Sequence, residues 1–376
     1  MDLSSVLKPI EDARGLPNDC YISADYFEQE KQKLFFAGWA ACAFVSDAPN
    51  PGDVCPIDFL GMPLLLVRNK RGELKLFQNV CRHRGMILIQ EAGHLRGPIR
   101  CPYHSWSYDY DGNLVRTPYV GGVGVDEHEN ICPKDLSLHE IRCHIWQGVV
   151  FVDVSGKAPD FEVVHADVMQ RWAEFDQPYH LGGAVSRFDM VLDTNWKLAV
   201  ENYCESYHLP WIHPELNETS PIDVHYHIEH ESYAGQGSRN YSQLIGDTGQ
   251  AFRDFDGVSD VWDSQAEYIA FFPNVLLGVH RDHAFAMLLM PQGPEKTLER
   301  VALFYADEDI DQAENQDMLK ENARRWRDVF NEDIGVVEGM QKGRHGPYFD
   351  GGKFSPVMDG PTHAFHKWVA RHILAN

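Results

Sequence analysis

The chain has 376 residues, enough for two domains, and its 44% hydrophobic and 24% charged residues are typical of a globular protein. A net charge of −23 argues against non-specific binding to nucleic acid or to an anionic membrane. No apolar run approaches the roughly 20 residues of a membrane span, and no basic and apolar signal segment opens the chain, so we predict a cytoplasmic protein. The eight cysteines are scattered, which favours metal binding or burial over a disulfide framework.

The N-terminal half begins with an extended arm and a helix and then changes to β-rich runs. The helix is predicted over Asp25–Phe35, with Ser23 as its N-cap. Turn signals such as Asn69-Lys70-Arg71-Gly72 separate the β-rich runs, which include Ile57–Leu60, Pro63–Val67 and Leu74–Phe77. The pattern predicts a small antiparallel β domain.

Two short loops in this segment each pair a cysteine with a histidine. Cys81-Arg82-His83 is followed, after 17 residues, by Cys101-Pro102-Tyr103-His104. Two thiolates and two imidazoles suit tetrahedral zinc, or a [2Fe–2S] cluster with cysteines on one iron and histidines on the other. Gly85 and Ser105-Trp106 after the pairs favour the cluster, because a hydroxyl can donate a hydrogen bond to a cluster sulfur. The sequence leaves open which nearby hydroxyl does so: Tyr103, Ser105, Ser107 or Tyr108.

The stretch Asn195–Pro214 starts with the spacing of an amphipathic helix. Its predicted buried face comprises Trp196, Val200, Tyr203 and Tyr207. Glu205 and His208 project to one side, and a break at Pro210 would let His208 and His213 point at one spot. Imidazoles and carboxylates in an apolar segment are costly unless a divalent metal compensates them. Taken alone, His-x4-His is more typical of one buried histidine whose hydrogen bonds are made within the protein and one surface histidine. Only the rest of the chain favours metal binding instead.

The remaining elements predict an antiparallel sheet flanked by helices. Residues 215–262 are polar and predicted to form a lid or pocket-covering region, with His225 and His227 as surface residues. Buried strands are predicted at Val185–Leu192, Tyr268–Val279, Ala284–Met290 and Arg300–Tyr305. A long helix over Asn315–Gln341 places Asp333 on its apolar face, where a carboxylate requires a cation, while Glu332 fits a surface position. Residues Ser355–Asn376 are predicted to form a closing helix.

The two metal patterns together resemble a known family. Cys81-Arg82-His83-Arg84-Gly85 with Cys101-Pro102-Tyr103-His104-Ser105-Trp106 resembles the cluster-binding motif of Rieske proteins. With Asn195-Trp196-Lys197 and Glu205-x2-His208-x4-His213-Pro214, nearly the whole chain resembles the α subunit of Rieske non-haem iron oxygenases. This implies an α+β fold: an arm and helix over 1–37 packed on the catalytic domain, an antiparallel β Rieske domain over 38–155, and a helix-grip catalytic domain over 156–376.

The resemblance also assigns the site residues. The implied cluster ligands are Cys81, His83, Cys101 and His104, and the implied ligands of a mononuclear Fe(II) are His208, His213 and Asp333. Two imidazoles and one carboxylate leave positions open on the iron for oxygen and substrate. In the family, Glu205 would bridge His104 of one subunit to His208 of the next, usually in a trimer, and Asn202 is counted with it as catalytic.

The glutamate at position 205 departs from the commoner aspartate and is similar to the branch that oxidises carnitine, glycine betaine, choline and stachydrine. The resemblance therefore implies a monooxygenase that hydroxylates a small quaternary ammonium substrate, with N-demethylation or C–N cleavage. Electrons from NAD(P)H would arrive through a separate flavin and iron–sulfur reductase, because no flavin or nicotinamide motif is visible. Aromatic rings would hold the cation by cation–π contact, and the candidates are Tyr203, Tyr207, Trp211, Phe271 and Phe272.

Three other activities stay open at this point. An aromatic-ring-hydroxylating or O-demethylating Rieske oxygenase would share every metal motif and differ in its pocket. A Rieske electron carrier would lack the second iron site. An iron–sulfur sensor would hold both metals but show no substrate-dependent oxygen uptake.

Overall fold

The computed structural model describes residues 2–246 and 249–375, and it divides the chain into two units. The smaller unit is Cys42–Lys157, and the larger unit is Met1–Ala41 together with Ala158–Asn376. Predictions that touch Met1, Asp247, Thr248 or Asn376 lie outside the described residues. Among the described helices, none combines the length and the apolar composition that crossing a bilayer requires.

The smaller unit consists of short strands in antiparallel sheets, as predicted, and the first strand begins three residues before the start of the unit. They are β1 Trp39–Phe44, β2 Asp53–Phe59, β3 Met62–Arg68, β4 Leu74–Gln78, β5 Gly93–His94, β6 Ile99–Arg100, β7 Ser107–Tyr108, β8 Leu114–Arg116, β9 Arg142–Trp146 and β10 Val149–Asp153. They form sheets in the orders β4-β3-β2-β5, β6-β7-β8 and β1-β10-β9. The predicted turn between β3 and β4 closes through Asn69 N–H to Glu73 O at 2.9 Å.

The larger unit contains one antiparallel sheet flanked by helices. Its strands are β11 His180–Leu181, β12 Arg187–Leu192, β13 His225–Glu229, β14 Tyr233–Ser238, β15 Ala266–Phe271, β16 Val275–Val279, β17 Ala284–Gly293 and β18 Lys296–Tyr305. The order is β11-β18-β17-β16-β15-β14-β13, and β12 also pairs with β18. The predicted α+β class, with antiparallel sheets throughout, is confirmed.

The prediction of one continuous strand over Tyr268–Val279 was wrong. The chain reverses at Phe272-Pro273-Asn274 and forms β15 and β16, which pair with each other. Pro273 has no N–H to donate to a ladder, so a strand with neighbours on both sides does not continue through it. The Asn274 side chain supports the reversal by donating to Ala41 O at 2.9 Å and Leu289 O at 3.1 Å.

The α-helices of the described residues lie in the larger unit. They are α1 Asp19–Ile22, α2 Ala24–Glu30, α3 Phe161–Val164, α4 Ala166–Arg171, α5 Trp196–Cys204, α6 Leu209–Ile212, α7 Pro214–Thr219, α8 Gln316–Gly343 and α9 Gly360–Leu374. Ser23 caps α2 as predicted, accepting a hydrogen bond from Tyr26 N–H. A wider helical turn, Lys31–Phe35, continues α2.

Buried charges fasten the N-terminal segment to α5. Lys197 Nζ lies 2.6 Å from Glu30 Oε1, and both side chains are fully buried. Trp196 Nε1 donates to the other Glu30 oxygen at 3.2 Å, and Tyr21 OH donates to Glu201 at 2.5 Å. Breaking a buried ion pair of this kind costs several kcal/mol, roughly 3–5, because one charge is left uncompensated. The Asn195-Trp196-Lys197 motif therefore holds the start of α5 against the N-terminal helix.

Candidate metal centres

The two Cys/His loops of the smaller unit have the same backbone geometry. Cys81 N–H donates to Met86 O, and Cys101 N–H donates to Trp106 O, both at 2.8 Å. In each loop the residue four positions after the cysteine has a left-handed backbone, with φ of 75° at Gly85 and 59° at Ser105. Glycine adopts this conformation readily, whereas Ser105 must be held there by the surrounding turn.

The four predicted cluster ligands come together at the tips of these loops. Cys81 and Cys101 are each 2% exposed and belong to the unit's hydrophobic core. The rings of His83 and His104 lie 4.7 Å apart, and His83 stacks on Trp106 at 4.6 Å. Among the described residues, His104 Nδ1 is a buried nitrogen without a hydrogen-bond partner. A buried ring nitrogen without a hydrogen-bond partner fits a metal ligand, and the two-thiolate, two-imidazole set fits a Rieske [2Fe–2S] cluster.

The hydroxyl that faces the cysteine sulfur is that of Tyr108. Its oxygen lies 3.4 Å from Cys81 Sγ and accepts a hydrogen bond from Arg82 N–H at 3.0 Å. Ser107 instead donates to Ser105 O at 2.9 Å, so its hydroxyl is turned to the backbone. Because a donor to a ligand sulfur tunes the potential of a cluster, Tyr108 is the side chain best placed to do so.

In the larger unit, the second site is built where α5 ends. The prediction that the helix continues to Pro210 was wrong, because α5 stops at Cys204 and Glu205 is extended. Pro210 lies in the first turn of the next helix, α6, where the N–H that proline lacks has no helical partner to lose. His208 precedes α6 and His213 follows it. This short helix, rather than a break inside a long one, turns both imidazoles to one spot.

His208, His213 and Asp333 converge at that spot. One ligand atom from each lies within 4.8 Å of the other two. Asp333 Oδ1 is 3.0 Å from His213 Nε2 and 3.7 Å from His208 Nε2. Burial acts to lower the pKa of His213, but the carboxylates of Asp333 and Glu332 outweigh it and raise that pKa. The site therefore attracts positive charge.

Hydrogen bonds to the outer ring nitrogens leave the inner ones free for a metal. Glu205 Oε1 lies 2.7 Å from His208 Nδ1, and Glu332 Oε2 lies 2.6 Å from His213 Nδ1. A carboxylate at Nδ1 fixes the proton there, so that each Nε2 presents a lone pair. Asp333 Oδ1 is buried and has no hydrogen bond of acceptable geometry within the described chain. Three convergent lone pairs without a donor fit Fe(II) held by two histidines and one carboxylate.

Glu332 is a functional residue that the sequence reasoning missed. It was assigned to the solvent-facing side of α8, and its side chain is indeed 43% exposed. The exposed carboxylate nevertheless reaches His213 across the edge of the helix. Its position next to Asp333 gave no signal, because adjacent residues of a helix do not share a face.

A cavity next to the three metal-binding residues has an aromatic wall. We call it the metal-side chamber; its aromatic lining comprises Tyr203, Tyr268, Phe285, Trp326 and Phe330. Of the five residues predicted to bind a cation, only Tyr203 lies in this lining. Tyr207 and Trp211 are 44% and 69% exposed, whereas Phe271 and Phe272 pack into the core. Trp326, Phe330 and Asp333 share one face of α8, and this spacing could have predicted that the two aromatic residues line the chamber next to Asp333.

Two polar residues, Asn202 and His225, also line the metal-side chamber. Asn202 is 8% exposed and lines the chamber beside the triad, which is where a catalytic residue would have to be. His225 was predicted at the surface but also lines the chamber, where it is bonded to Gln236 at 2.6 Å and Ser220 at 3.0 Å. Gln236 in turn donates to Glu205 O at 3.2 Å. The β13–β14 hairpin thus supports the segment that carries His208.

A buried carboxyl group lies close to the three predicted iron ligands, His208, His213 and Asp333. Glu299 on β18 lines a small cavity of about 30 Å³ together with Asn202 and Asp333. Burial, with a further contribution from the Asp333 charge, raises the pKa of Glu299 to about 8. Glu299 is therefore a neutral acid at neutral pH. It was not singled out from the sequence, because a glutamate is usually exposed, whereas Glu299 takes a buried position between the less buried Leu298 and Arg300.

Comparison with known proteins places these sites in a family. Residues 169–375 match the model of the ring hydroxylating alpha subunit (catalytic domain), and residues 38–127 match that of the Rieske [2Fe-2S] domain. The carnitine monooxygenase oxygenase subunit of Escherichia coli (strain K12) is 27% identical over 337 residues, covering 89% of this chain and 85% of the relative. The chloroplastic choline monooxygenase of Spinacia oleracea is 25% identical, covering 96% and 79%.

Solved structures show the same fold. The quaternary ammonium Rieske monooxygenase CntA in complex with L-carnitine superposes with a TM-score of 0.79 at 22% identity, covering 99% of both chains. Naphthalene 1,2-dioxygenase from Rhodococcus sp. gives a TM-score of 0.77 at 18% identity, covering 100% of this chain and 98% of its own. The resemblance stated from the motifs is confirmed, and the first model alone spans more than half of the sequence. The chain belongs to the family of Rieske non-haem iron oxygenase α subunits.

Proposed function

We propose that this chain is the oxygenase component of a monooxygenase that hydroxylates a small quaternary ammonium compound of the betaine, carnitine or choline type. The observation that carries the substrate class is the aromatic wall of the metal-side chamber. Five aromatic rings face the space next to His208, His213 and Asp333, and aromatic faces attract a trimethylammonium group through cation–π contact. The relatives named for carnitine and choline support the same class.

The aromatic rings also fix one another, so the wall is preformed. Phe285 and Trp326 are 4.5 Å apart between ring centres, Phe285 and Phe330 5.4 Å, and Trp326 stacks on Phe330 at 5.6 Å. A preformed wall requires little ordering when the substrate binds.

The proposed reaction inserts one oxygen atom into a C–H bond. The methyl or methylene group, O2, two electrons and two protons give the hydroxylated carbon and one water. Loss of the amine from the resulting hemiaminal then cleaves the C–N bond and releases an aldehyde. When bound, the two iron centres supply one-electron transfer and oxygen activation. The protein's own contribution is to hold the imidazole protons at Nδ1 through Glu205 and Glu332 and to keep the substrate carbon in the chamber.

We further propose that Cys81, His83, Cys101 and His104 bind the cluster and that His208, His213 and Asp333 bind the iron. Residues 38–155 would form the Rieske domain and residues 156–376 the catalytic domain, with the segment 1–37 packed on the latter. Electrons would pass between neighbouring copies in a trimer, through Glu205 from His104 of one copy to His208 of the next. A separate NAD(P)H-dependent reductase would supply them, in the cytoplasm.

The test is oxygen consumption with a surrogate reductase and a panel of betaines, carnitine, choline and aromatic acids. Quaternary ammonium compounds should stimulate oxygen uptake and yield formaldehyde or another aldehyde in equal amount to the oxygen consumed. Turnover of arenes, together with no uptake with any quaternary ammonium compound, would assign an aromatic-ring-hydroxylating oxygenase instead. Protein purified with zinc in place of iron and inorganic sulfide would overturn both assignments.

A further inference from the structure

A second cavity shares a wall with the metal-side chamber. This adjacent chamber, of about 240 Å³, has Tyr268 and Trp326 in common with the first. Beyond those two rings it is lined by Tyr241, His280 and His283. The two histidines belong to the tight turn His280-Arg281-Asp282-His283 between β16 and β17, closed by His280 N–H to His283 O at 2.9 Å. Nothing in the iron chemistry uses this turn.

A chain of hydrogen bonds leads from the shared wall to a buried carboxylate. Trp326 Nε1 donates to His283 Nε2 at 2.9 Å, and His283 Nδ1 lies 2.8 Å from Asp282 Oδ1. An indole nitrogen can only donate, so His283 Nε2 must be the acceptor and Nδ1 must carry the proton. His283 is therefore a neutral imidazole that donates to Asp282. Tyr241 OH donates to the same oxygen at 2.6 Å.

The negative charge of Asp282 has little local compensation. Its side chain is fully buried, and Oδ2 has no hydrogen-bond partner among the described residues. The neighbouring Arg281 directs its guanidinium to Asp254 and Asp263, so the cluster of three carboxylates and one arginine stays negative. His280 stacks on His283 at 4.2 Å, and burial holds the pKa of His280 well below its usual value.

We propose that Asp282 is a specificity-determining residue that gives the metal-side chamber its preference for a cationic substrate. The carboxylate lies behind a layer of neutral rings, Tyr241, His283 and Trp326, and acts on the substrate through them rather than by contact. This inference rests on the proposed function, because it assigns the source of the charge that a quaternary ammonium group would meet.

The arrangement suits a quaternary ammonium better than direct contact with a carboxylate would. Such a cation has no N–H to donate, so an exposed carboxylate would lose its own hydration without gaining a hydrogen bond. Behind the rings, Asp282 keeps its hydrogen bonds from Tyr241 and His283 and attracts the cation only through its negative charge. For charges separated by about 10 Å at an effective dielectric constant of about 20, the attraction corresponds to roughly a tenfold change in affinity. Arg325, which also lines the adjacent chamber, is paired with Glu321 at 2.9 Å.

The test compares two probes in two variants. Choline and its uncharged carbon isostere, with a quaternary carbon in place of nitrogen, are titrated calorimetrically into the oxygen-free, iron-loaded protein. Asp282→Asn keeps an oxygen to accept from Tyr241 and His283, removes the charge, and places an NH2 group where Oδ2 stood. We expect the preference for choline over the isostere to fall roughly tenfold in this variant, with isostere binding unchanged. Asp254→Asn, which removes an exposed carboxylate from the same cluster, should leave the preference within about twofold.

Each other outcome overturns the proposal. Equal weakening of both probes would make Asp282 a structural residue, and an unchanged preference would place the source of selectivity elsewhere. If the unaltered protein shows no preference for choline, the quaternary ammonium function fails as well. Should Asp282→Asn not fold, Tyr241→Phe serves instead: it keeps the carboxylate and removes one donor, so the preference must persist or grow. Loss of the preference in a folded Tyr241→Phe protein would contradict the inference.

Discussion

The hydrogen bond from Glu332 to His213 gives a graded prediction for metal affinity. Glu332→Gln retains an oxygen that can accept from His213 Nδ1 but loses the charge, and charge-assisted hydrogen bonds are about twice as strong as neutral ones. Glu332→Ala removes the bond of 2.6 Å altogether. Loss of such a partner of a metal-bound histidine weakens metal binding by about 10- to 100-fold, or about 1.4 to 2.7 kcal/mol. We expect Gln near the lower limit and Ala near the upper limit.

The measurement is an anaerobic Fe(II) titration of protein from which the mononuclear iron has been removed and in which the cluster is intact. The cluster's EPR signal serves as an internal standard, because Glu332 lies in the other unit from the cysteine loops. Asp328→Asn is the matched control, since Asp328 lies one turn earlier on α8, is 53% exposed and pairs with Arg324 at 2.6 Å. Wild-type affinity in both Glu332 variants would show that His213 needs no partner at Nδ1, and would refute the reasoning.

Three further predictions follow from the same site. Asp333→Ala should abolish turnover and mononuclear iron binding while the visible and EPR spectra of the cluster persist; normal activity would remove Asp333 from the ligand set. Glu205→Asp shortens the side chain that reaches His208, so single-turnover electron transfer should slow with both metals retained, and normal rates would argue against the bridge. Glu299, with its pKa raised from 4.5 to about 8, holds in the native state a proton that the unfolded chain has lost, so its contribution to stability falls as pH rises between those values. The free energy of unfolding of metal-free Glu299→Gln should therefore rise by a few kcal/mol relative to that of the wild type as the pH increases from 4.5 to about 8. Parallel pH profiles for the two proteins would contradict the assignment.

Local geometry was readable from the sequence wherever neighbouring residues alone determine it. The Cys/His loops, the Asn69–Gly72 turn, the Ser23 cap and α8 depend on contacts within a few residues, and short-range patterns encode those contacts. The reversal at Pro273 was missed because an apolar run of buried residues does not distinguish one strand from a hairpin. The proline itself was the signal against a continuous strand.

The lining of the metal-side chamber was much less predictable, since it depends on which side chains meet across the sheet. Aromatic residues beside His208 in the sequence seemed natural candidates, but Tyr207, which precedes α6, and Trp211, which lies in it, are exposed. The real wall combines α8 with strands β15 and β17, whose approach is set by the packing of the whole unit. Glu332 and Asp282 escaped for the same reason, because an acidic residue near a turn or a helix surface is usually solvated.

The attachment of the N-terminal segment to α5 has a consequence for dissecting the protein. A fragment that begins at residue 156 would lack Glu30 and Tyr21. Lys197 would then lose its buried counter-charge, and Glu201 would lose the hydrogen bond from Tyr21 while keeping His366 and Arg344 as partners. The first forty residues therefore belong to the same folded unit as the iron site, although that site lies more than 150 positions further along the chain. A fragment designed to study the iron site alone should therefore join Met1–Ala41 to Ala158–Asn376 rather than begin at residue 156.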